Sequence, residues 1–273
     1  MMLKLILETF IRISGIAAAS GLVYHGEELH IVSDNSNYLY HYHLGEQRLY
    51  KTVLLEASPM ENVPKASKMD LESIAFDGKS YYLYGSGSTG RRNDRFIWDG
   101  KQLVHEDYSR VYTLLMKKFR ISEEDFNIEG VLHIADRILF FNRGNGPNGI
   151  NGILEYYPAS ENRSRYIPMA LPTLNGVATG FSDATLVGND IYFIATAEDA
   201  KSTYDDGEIA GSMLGKLSAD LRSAPEVWPI PENHKFEGIT LKEAHEDGLV
   251  FLLCADSDSE DEQLIVYSLK VTN

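Results

Sequence analysis

Only one cysteine, Cys254, occurs in the 273 residues, so no disulfide within the chain is possible and the redox compartment stays open. Leu252, Leu253 and Ala255 surround it with apolar character, and nothing nearby lowers its pKa, so it reads as inert packing. Positive charge is also scarce: 25 Lys and Arg face 40 Asp and Glu, for a formal net charge of -15. A surface of that sign repels a phosphate backbone or an anionic bilayer, which argues against nucleic acid and membrane as partners. An acidic balance suits bound cations, although solubility alone explains it equally well. Long apolar runs are missing too, and none reaches the roughly 18 residues of a membrane-crossing helix. The apolar start, Met1 to Arg12, is interrupted by Glu8 and Arg12, so it is read as a strand rather than a secretory signal, and a cytoplasmic location is expected.

What is plentiful is apolar and aromatic material: 44% hydrophobic residues, 11% aromatics and 16 tyrosines, a bias toward strands. Five segments share one pattern, a small or acidic residue, an apolar stretch, a turn and a second strand. They open at Ser20, Glu72, Glu129, Asp183 and Glu237, at intervals of 52 to 57 residues. In four of them the second strand ends 13 residues after the opening residue, at Ser33, Gly85, Asn142 and Thr196. Two further strand-like stretches follow in each repeat, as in Tyr38 to Leu44 and Leu49 to Leu55. A repeat of this length with four short strands predicts a β-propeller blade. The chain is therefore expected to be all-β, one five-bladed propeller of four-stranded blades over residues 1–273. The expected blades span about 20–70, 71–127, 128–180, 181–235, and 236–273 joined by 3–12. The last blade is one strand short and the N-terminus has one to spare, so the N-terminal strand closes the ring. Tyr112 to Phe126 breaks the pattern and predicts one or two short helices between the second and third blades.

In a propeller the first strand of each blade lines the axial tunnel. Ser20, Glu72, Glu129, Asp183 and Glu237 are thus expected to ring one mouth, and four of the five are carboxylates. Like charges at close quarters raise one another's pKa or call for a counter-cation, and oxygen ligands favour a hard ion, Ca²⁺ foremost. The alternative is that these side chains cap backbone N–H groups and line a wet tunnel. Loops on the same face carry Asp34 and Asn35, then Ser86, Arg91 and Arg92, then Asn142 and Arg143, while the fourth and fifth blades contribute Glu198, Tyr204 to Glu208, and Asp256 to Asp258. Arginines on adjacent blades predict a grip on a small anion; the competing reading is that they neutralise acidic neighbours. His133 and His234 lie near ring positions and are candidate acids or bases. Gly85-x-Gly87-x-x-Gly90 matches a dinucleotide fingerprint, but no helix follows it. His41 and His43 share a strand face without a third zinc ligand.

Ser20-Gly21-Leu22, Leu71-Glu72-Ser73-Ile74, Ile128-Glu129-Gly130, Ser182-Asp183-Ala184 and Glu237-Gly238-Ile239 together resemble bacterial β-propellers of the esterase-like phytase and SdiA-regulated superfamily. The resemblance spans nearly the whole chain and implies the fold and a calcium site more than a substrate. Two functions follow as expectations. One is a propeller that binds a small anionic ligand or a protein loop at the tunnel mouth, with a cation in the tunnel. The other is a calcium-dependent hydrolase of phosphoesters or related esters, in which Glu72, Glu129, Asp183 and Glu237 hold the metal and Arg91 and Arg143 orient the anion.

Overall fold

Each repeat folds into one four-stranded antiparallel sheet in a computed structural model that describes residues 3–199, 207–255 and 263–272. The N-terminal strand β1 (Lys4–Ser14) waits for the last blade. The first blade holds β2 (Ala19–His25), β3 (Glu28–Ser33), β4 (Tyr38–His43) and β5 (Arg48–Val53). The second holds β6 (Leu71–Phe76), β7 (Tyr81–Gly85), β8 (Asp94–Trp98) and β9 (Leu103–Asp107). β10 (Ile128–Ile134), β11 (Arg137–Arg143), β12 (Asn151–Tyr156) and β13 (Arg165–Pro168) make the third. β14 (Thr179–Val187), β15 (Asp190–Asp199), β16 (Glu208–Ser218) and β17 (Glu226–Pro229) make the fourth. In the fifth, β18 (Phe236–His245), β19 (Gly248–Ala255) and β20 (Gln263–Thr272) are completed by β1, which pairs antiparallel with β20. The inner strands β2, β6, β10, β14 and β18 pack side by side, with β18 against β2, so the ring is closed. This is the five-bladed propeller that the repeat predicts.

The hydrophobic pattern explains the stacking. Second strands such as β11 are apolar on both faces because each is covered by a blade on either side. Outer strands such as β5 are exposed or only half-buried along their whole length. Five hydrophobic clusters fill the five seams between blades; one joins Leu139 and Phe141 to Phe181 and Phe193. Another joins Leu29 and Ile31 to Leu252 and Cys254. Each such side chain contributes about 1.5–3 kcal/mol when fully buried. Cys254 is indeed a buried packing residue, with its thiol facing the Ala19 carbonyl at 3.8 Å.

The predicted helical segment begins three residues early. α1 (Ser109–Phe119) starts where the Asp107 carboxylate accepts the Ser109 N–H, and it ends at Arg120 in the left-handed conformation. Its Tyr112 and Leu115 pack into the seam between the second and third blades. The acidic stretch after Ser122 makes only a single 3₁₀ turn, Glu123–Asp125. Among the described residues no helix is long and apolar enough to cross a membrane.

Candidate functional site

In every blade the pairing of the first two strands slips by one residue near the start of the inner strand. Such a bulge puts two residues opposite one and re-aims a side chain. The residues passed over are Ser20, Glu72, Glu129, Ser182 and Glu237. Asp183 is therefore not the equivalent of Glu129: it pairs with Ile194 just as Gly130 pairs with Phe141. Matching acid to acid hides a one-residue shift in both strands of the fourth hairpin, whereas the two-residue turns at Ala135–Asp136 and Gly188–Asn189 set the true correspondence. The ring thus carries three carboxylates and two serines. Asp183 lies one step deeper, accepting the Ile239 N–H at 2.8 Å, and burial raises its pKa well above the ordinary aspartate value.

On the side of blades three to five the carboxylates have resident cations. Arg143, buried at the end of β11, pairs with Glu129 at 3.2 Å, with Glu198, and with Glu237 at 3.9 Å. Lys235 adds a bridge to Glu237 at 3.0 Å and to Glu198 at 3.8 Å. Burial disfavours the Arg143 charge, yet these three glutamates hold its pKa above the usual arginine value. Asn127 donates a further hydrogen bond to Glu129 at 2.7 Å. Gly180 lets the network close, because a Cβ there would stand 2.9 Å from the Arg143 Cγ and 2.1 Å from its carbonyl oxygen.

The side of blades one and two is arranged differently. Asp34, Asp70 and Glu72 bring one carboxylate oxygen each within 4.8 Å of one another. The Lys68 ammonium bonds Asp34 and lies 2.8 Å from Asp70, and the buried Arg92 reaches Asp70 at 2.8 Å. Burial opposes the charge on Lys68, but Asp70 and Asp34 keep its pKa above the ordinary lysine value. Ser86 donates to Asp70 at 2.5 Å, and Asn35 accepts from Ser33 at 3.0 Å. Glu72, by contrast, makes no described hydrogen bond or ion pair, and burial followed by the charges of Asp70, Glu129 and Asp34 raises its pKa well above the usual glutamate value.

Beside this cluster two turns face one another. Lys68 N–H donates to the Pro64 carbonyl at 3.0 Å in one turn, and Arg92 N–H donates to Thr89 at 3.0 Å in the other. Arg92 bridges them by bonding the Lys65 carbonyl at 3.2 Å. The recess between them has a volume of about 360 Å³ and is lined by Lys65, Lys68, Thr89, Gly90, Arg91 and Arg92, besides Ala66. Lys65, Lys68 and Asp70 escaped the sequence reading because they lie in the connection between blades, outside the repeat pattern. The glycines of Gly85-x-Gly87 serve packing here: a Cβ on Gly85 would meet the Arg92 carbonyl at 2.5 Å, and one on Gly87, whose φ is +70°, would meet Phe126 at 2.6 Å.

Other candidates lie elsewhere. Asn142 is fully buried, accepts the Asn127 N–H at 2.8 Å and donates to the Asp125 and Ile150 carbonyls, so its side chain ties loops together rather than facing a ligand. His133, four residues along β10 from Glu129, is about 13 Å further down the strand. It stacks on Tyr82 and bonds the Tyr84 hydroxyl at 2.8 Å between blades, and burial lowers its pKa to about 4. It borders an apolar recess of about 270 Å³ with Leu22, Ile74 and Leu132, not the charged mouth. His234 turns onto Tyr267 and pairs with Glu232 at 2.9 Å, leaving Lys235 to enter the ring. His41 meets His30 at 2.9 Å and Thr52 at 2.8 Å, whereas the His43 ring accepts the Glu46 N–H. The loop residues Tyr204 to Asp206 and Asp256 to Asp258 lie outside the described residues.

Five sheets closed around a tunnel with a charged mouth define a five-bladed β-propeller. The chain belongs to DUF6929, a family of unknown function whose model matches residues 15–271. No curated protein sequence matches it. Among solved structures it is similar to the glutaminyl cyclase of Myxococcus xanthus, with a TM-score of 0.56 and 13% identity over 98% of this chain and 97% of that one. It is also similar to the PQQ-bound aldose sugar dehydrogenase of Streptomyces coelicolor, with a TM-score of 0.53 and 11% identity over 98% of both chains. A luciferin-regenerating enzyme matches with a TM-score of 0.52 and 9% identity over 99% of this chain and 96% of that one. Identities this low show a shared fold. None of these matches carries a specific link to phytases or SdiA-regulated proteins.

Proposed function

We propose that this propeller binds a small anionic ligand at its charged mouth, on the side of blades one and two. The observation that carries the reading is the recess between the Lys65–Lys68 and Thr89–Arg92 turns, lined among the described residues by four cationic residues and no carboxylate in a chain of net charge -15. Cations gathered at one place against the overall sign of the surface focus the local field for an anion. Arg91 and Arg92 keep the roles expected of them, and Lys65 and Lys68 join them. Arg143 does not take part, since its guanidinium is committed to three glutamates.

The donor set fits a resident Ca²⁺ poorly. Calcium takes six to eight oxygens, and among the described residues the carboxylates that converge are Asp34, Asp70 and Glu72, with the Lys68 ammonium already seated between two of them. Glu129 and Glu237 are drawn to Arg143 and Lys235, and Asp183 is held by backbone. Protein cations therefore supply the countercharge that a metal was expected to supply. Thermal unfolding with millimolar inorganic phosphate, citrate and acetate tests the binding reading. A raised midpoint with at least one of them is expected; no shift with any would sink it.

A hydrolase remains the second reading because of Glu72. A carboxyl group with no hydrogen-bond or ion-pair partner among the described residues, whose pKa burial raises well above the ordinary glutamate value, can donate a proton to a leaving group. Turnover of an aryl phosphate that survives chelation and is lost in Glu72→Gln would favour this reading. Inactivity of the wild type across phosphate and carboxylate esters would remove it.

A further inference from the structure

A second cleft, of about 530 Å³, opens between blades four and five. It is bordered by the ends of β14 and β18, at Val187 and His245, so it lies at the opposite end of the inner strands from the ring carboxylates. Tyr192, Lys216 and Glu226 stand opposite one another across β15, β16 and β17 and share one face of the blade. Two residues further along each strand, Ile194, Leu214 and Trp228 make a second row on that face. Ile194 and Leu214 are buried in the seam with blade five. Trp228, on the outer strand, is half-buried, lines the cleft and joins none of the five seam clusters. Its ring and its indole N–H have no partner among the described residues. The other tryptophan, Trp98, packs against His41 at 4.4 Å and Tyr81 at 5.5 Å. A tryptophan ordinarily fills a core or an interface, so one that only borders a cleft points to an occupant.

The polar lining carries both signs. Lys216 pairs with Asp190 at 2.8 Å and stands 5.8 Å from the centre of the Tyr192 ring, so the protein itself fills the cationic place over that ring. Glu226 of blade four and Glu246 of blade five are exposed at the edges, and Leu249 and Val271 of blade five supply an apolar wall. A free anion entering here meets three carboxylates, and an organic cation meets a resident ammonium. A neutral ligand with an apolar face and a rim of hydroxyls meets neither penalty, because it uses donor and acceptor alike. We propose that this cleft binds one ring of a neutral saccharide, with the C–H face of the sugar on Trp228 and its hydroxyls shared among Lys216, Asp190, Glu226 and Glu246. A few polar groups placed around apolar surface are what orient a small ligand. The site is separate from the charged mouth and does not depend on the anion-binding reading.

Titration calorimetry of the full chain with the methyl pyranosides of glucose, galactose, mannose and xylose tests it, with choline and sulfate as charged controls. Saturable binding of at least one pyranoside with a Kd of roughly 1–10 mM is expected. Trp228→Ala should weaken that binding about tenfold or more, and Trp228→Phe should retain most of it. Glu226→Gln combined with Glu246→Gln should weaken it about threefold or more with the unfolding midpoint in place, since both residues are exposed. Failure of all four pyranosides to bind would overturn the proposal, as would tighter binding of choline or sulfate than of any sugar. Undiminished affinity in Trp228→Ala would place the sugar elsewhere and overturn the site. Should Trp228→Ala fail to fold, unchanged affinity in the double glutamine variant would overturn it instead.

Discussion

Blades three to five and blades one to two solve the same electrostatic problem in opposite ways. On the first side Glu129, Glu198 and Glu237 close around Arg143 and Lys235, and every described partner is internal. On the second side Asp34 and Asp70 hold Lys68 and Arg92, but those cations also front a recess, and Glu72 has no described partner. A buried ion network whose members satisfy one another is specific and rigid, and its cost lies in being broken. The comparison teaches that equivalent positions in a repeat fix location, while the neighbours supplied by the connecting loops decide chemistry.

The locked side should break hardest. Arg143→Met leaves three buried glutamates without their main cation and is expected to lower unfolding stability by about 3–5 kcal/mol, measured by urea denaturation. A loss below about 1 kcal/mol would show that the network is not closed as described.

Next in size is an effect at the seam beneath the open side. His30 and His41 are buried against each other and against Trp98, and burial lowers their pKa values to about 3 and about 4. Between those values and the ordinary 6.5 the unfolded chain binds more protons than the folded one. Their contribution is therefore complete above pH 6.5 and declines as pH falls, by about 4 kcal/mol for the pair between pH 7 and pH 5. Glu72 and Asp183, whose pKa values are raised, act with the opposite sign, so the comparison should be made against a variant that leaves them untouched. In His41→Leu the drop in urea midpoint between pH 7 and pH 5 should shrink to about half; an undiminished drop would assign it to other groups.

A smaller contrast separates two ring carboxylates directly. Glu129→Gln weakens bonds to Arg143 and is expected to cost about 1–2 kcal/mol. Glu72→Gln removes a carboxyl that has no described partner and should leave stability unchanged or slightly higher. Equal losses in the two variants would erase the distinction between the sides. The smallest stability effect belongs to Arg91→Glu, within about 0.5 kcal/mol because the side chain is exposed, although its effect on anion affinity is large.

The propeller was legible because blade repeats write a periodic signal: apolar second strands at nearly constant spacing, and a lone strand at one end for a gap at the other. The mouth was legible in location, since bulges at the inner-strand starts sit where the openings Ser20, Glu72, Glu129 and Glu237 fall. Its chemistry was not. Ser182 and Asp183 differ by one residue, and only strand register tells which faces the ring. Lys68, Asp70 and Lys235 lie in connections between blades, where spacing varies and no repeat constrains them. His133 shares a strand with Glu129, yet distance along a strand carries it to the far part of the tunnel wall.

The central claim, that the mouth supplies its own cations and spends the surplus on an anion, is tested most directly by thermal unfolding of chelator-treated protein. The midpoint is measured alone, with excess Ca²⁺, and with excess inorganic phosphate, since any ligand that prefers the folded state raises it. The account predicts a midpoint raised by phosphate and unmoved by calcium. A midpoint raised by calcium and indifferent to phosphate would contradict it.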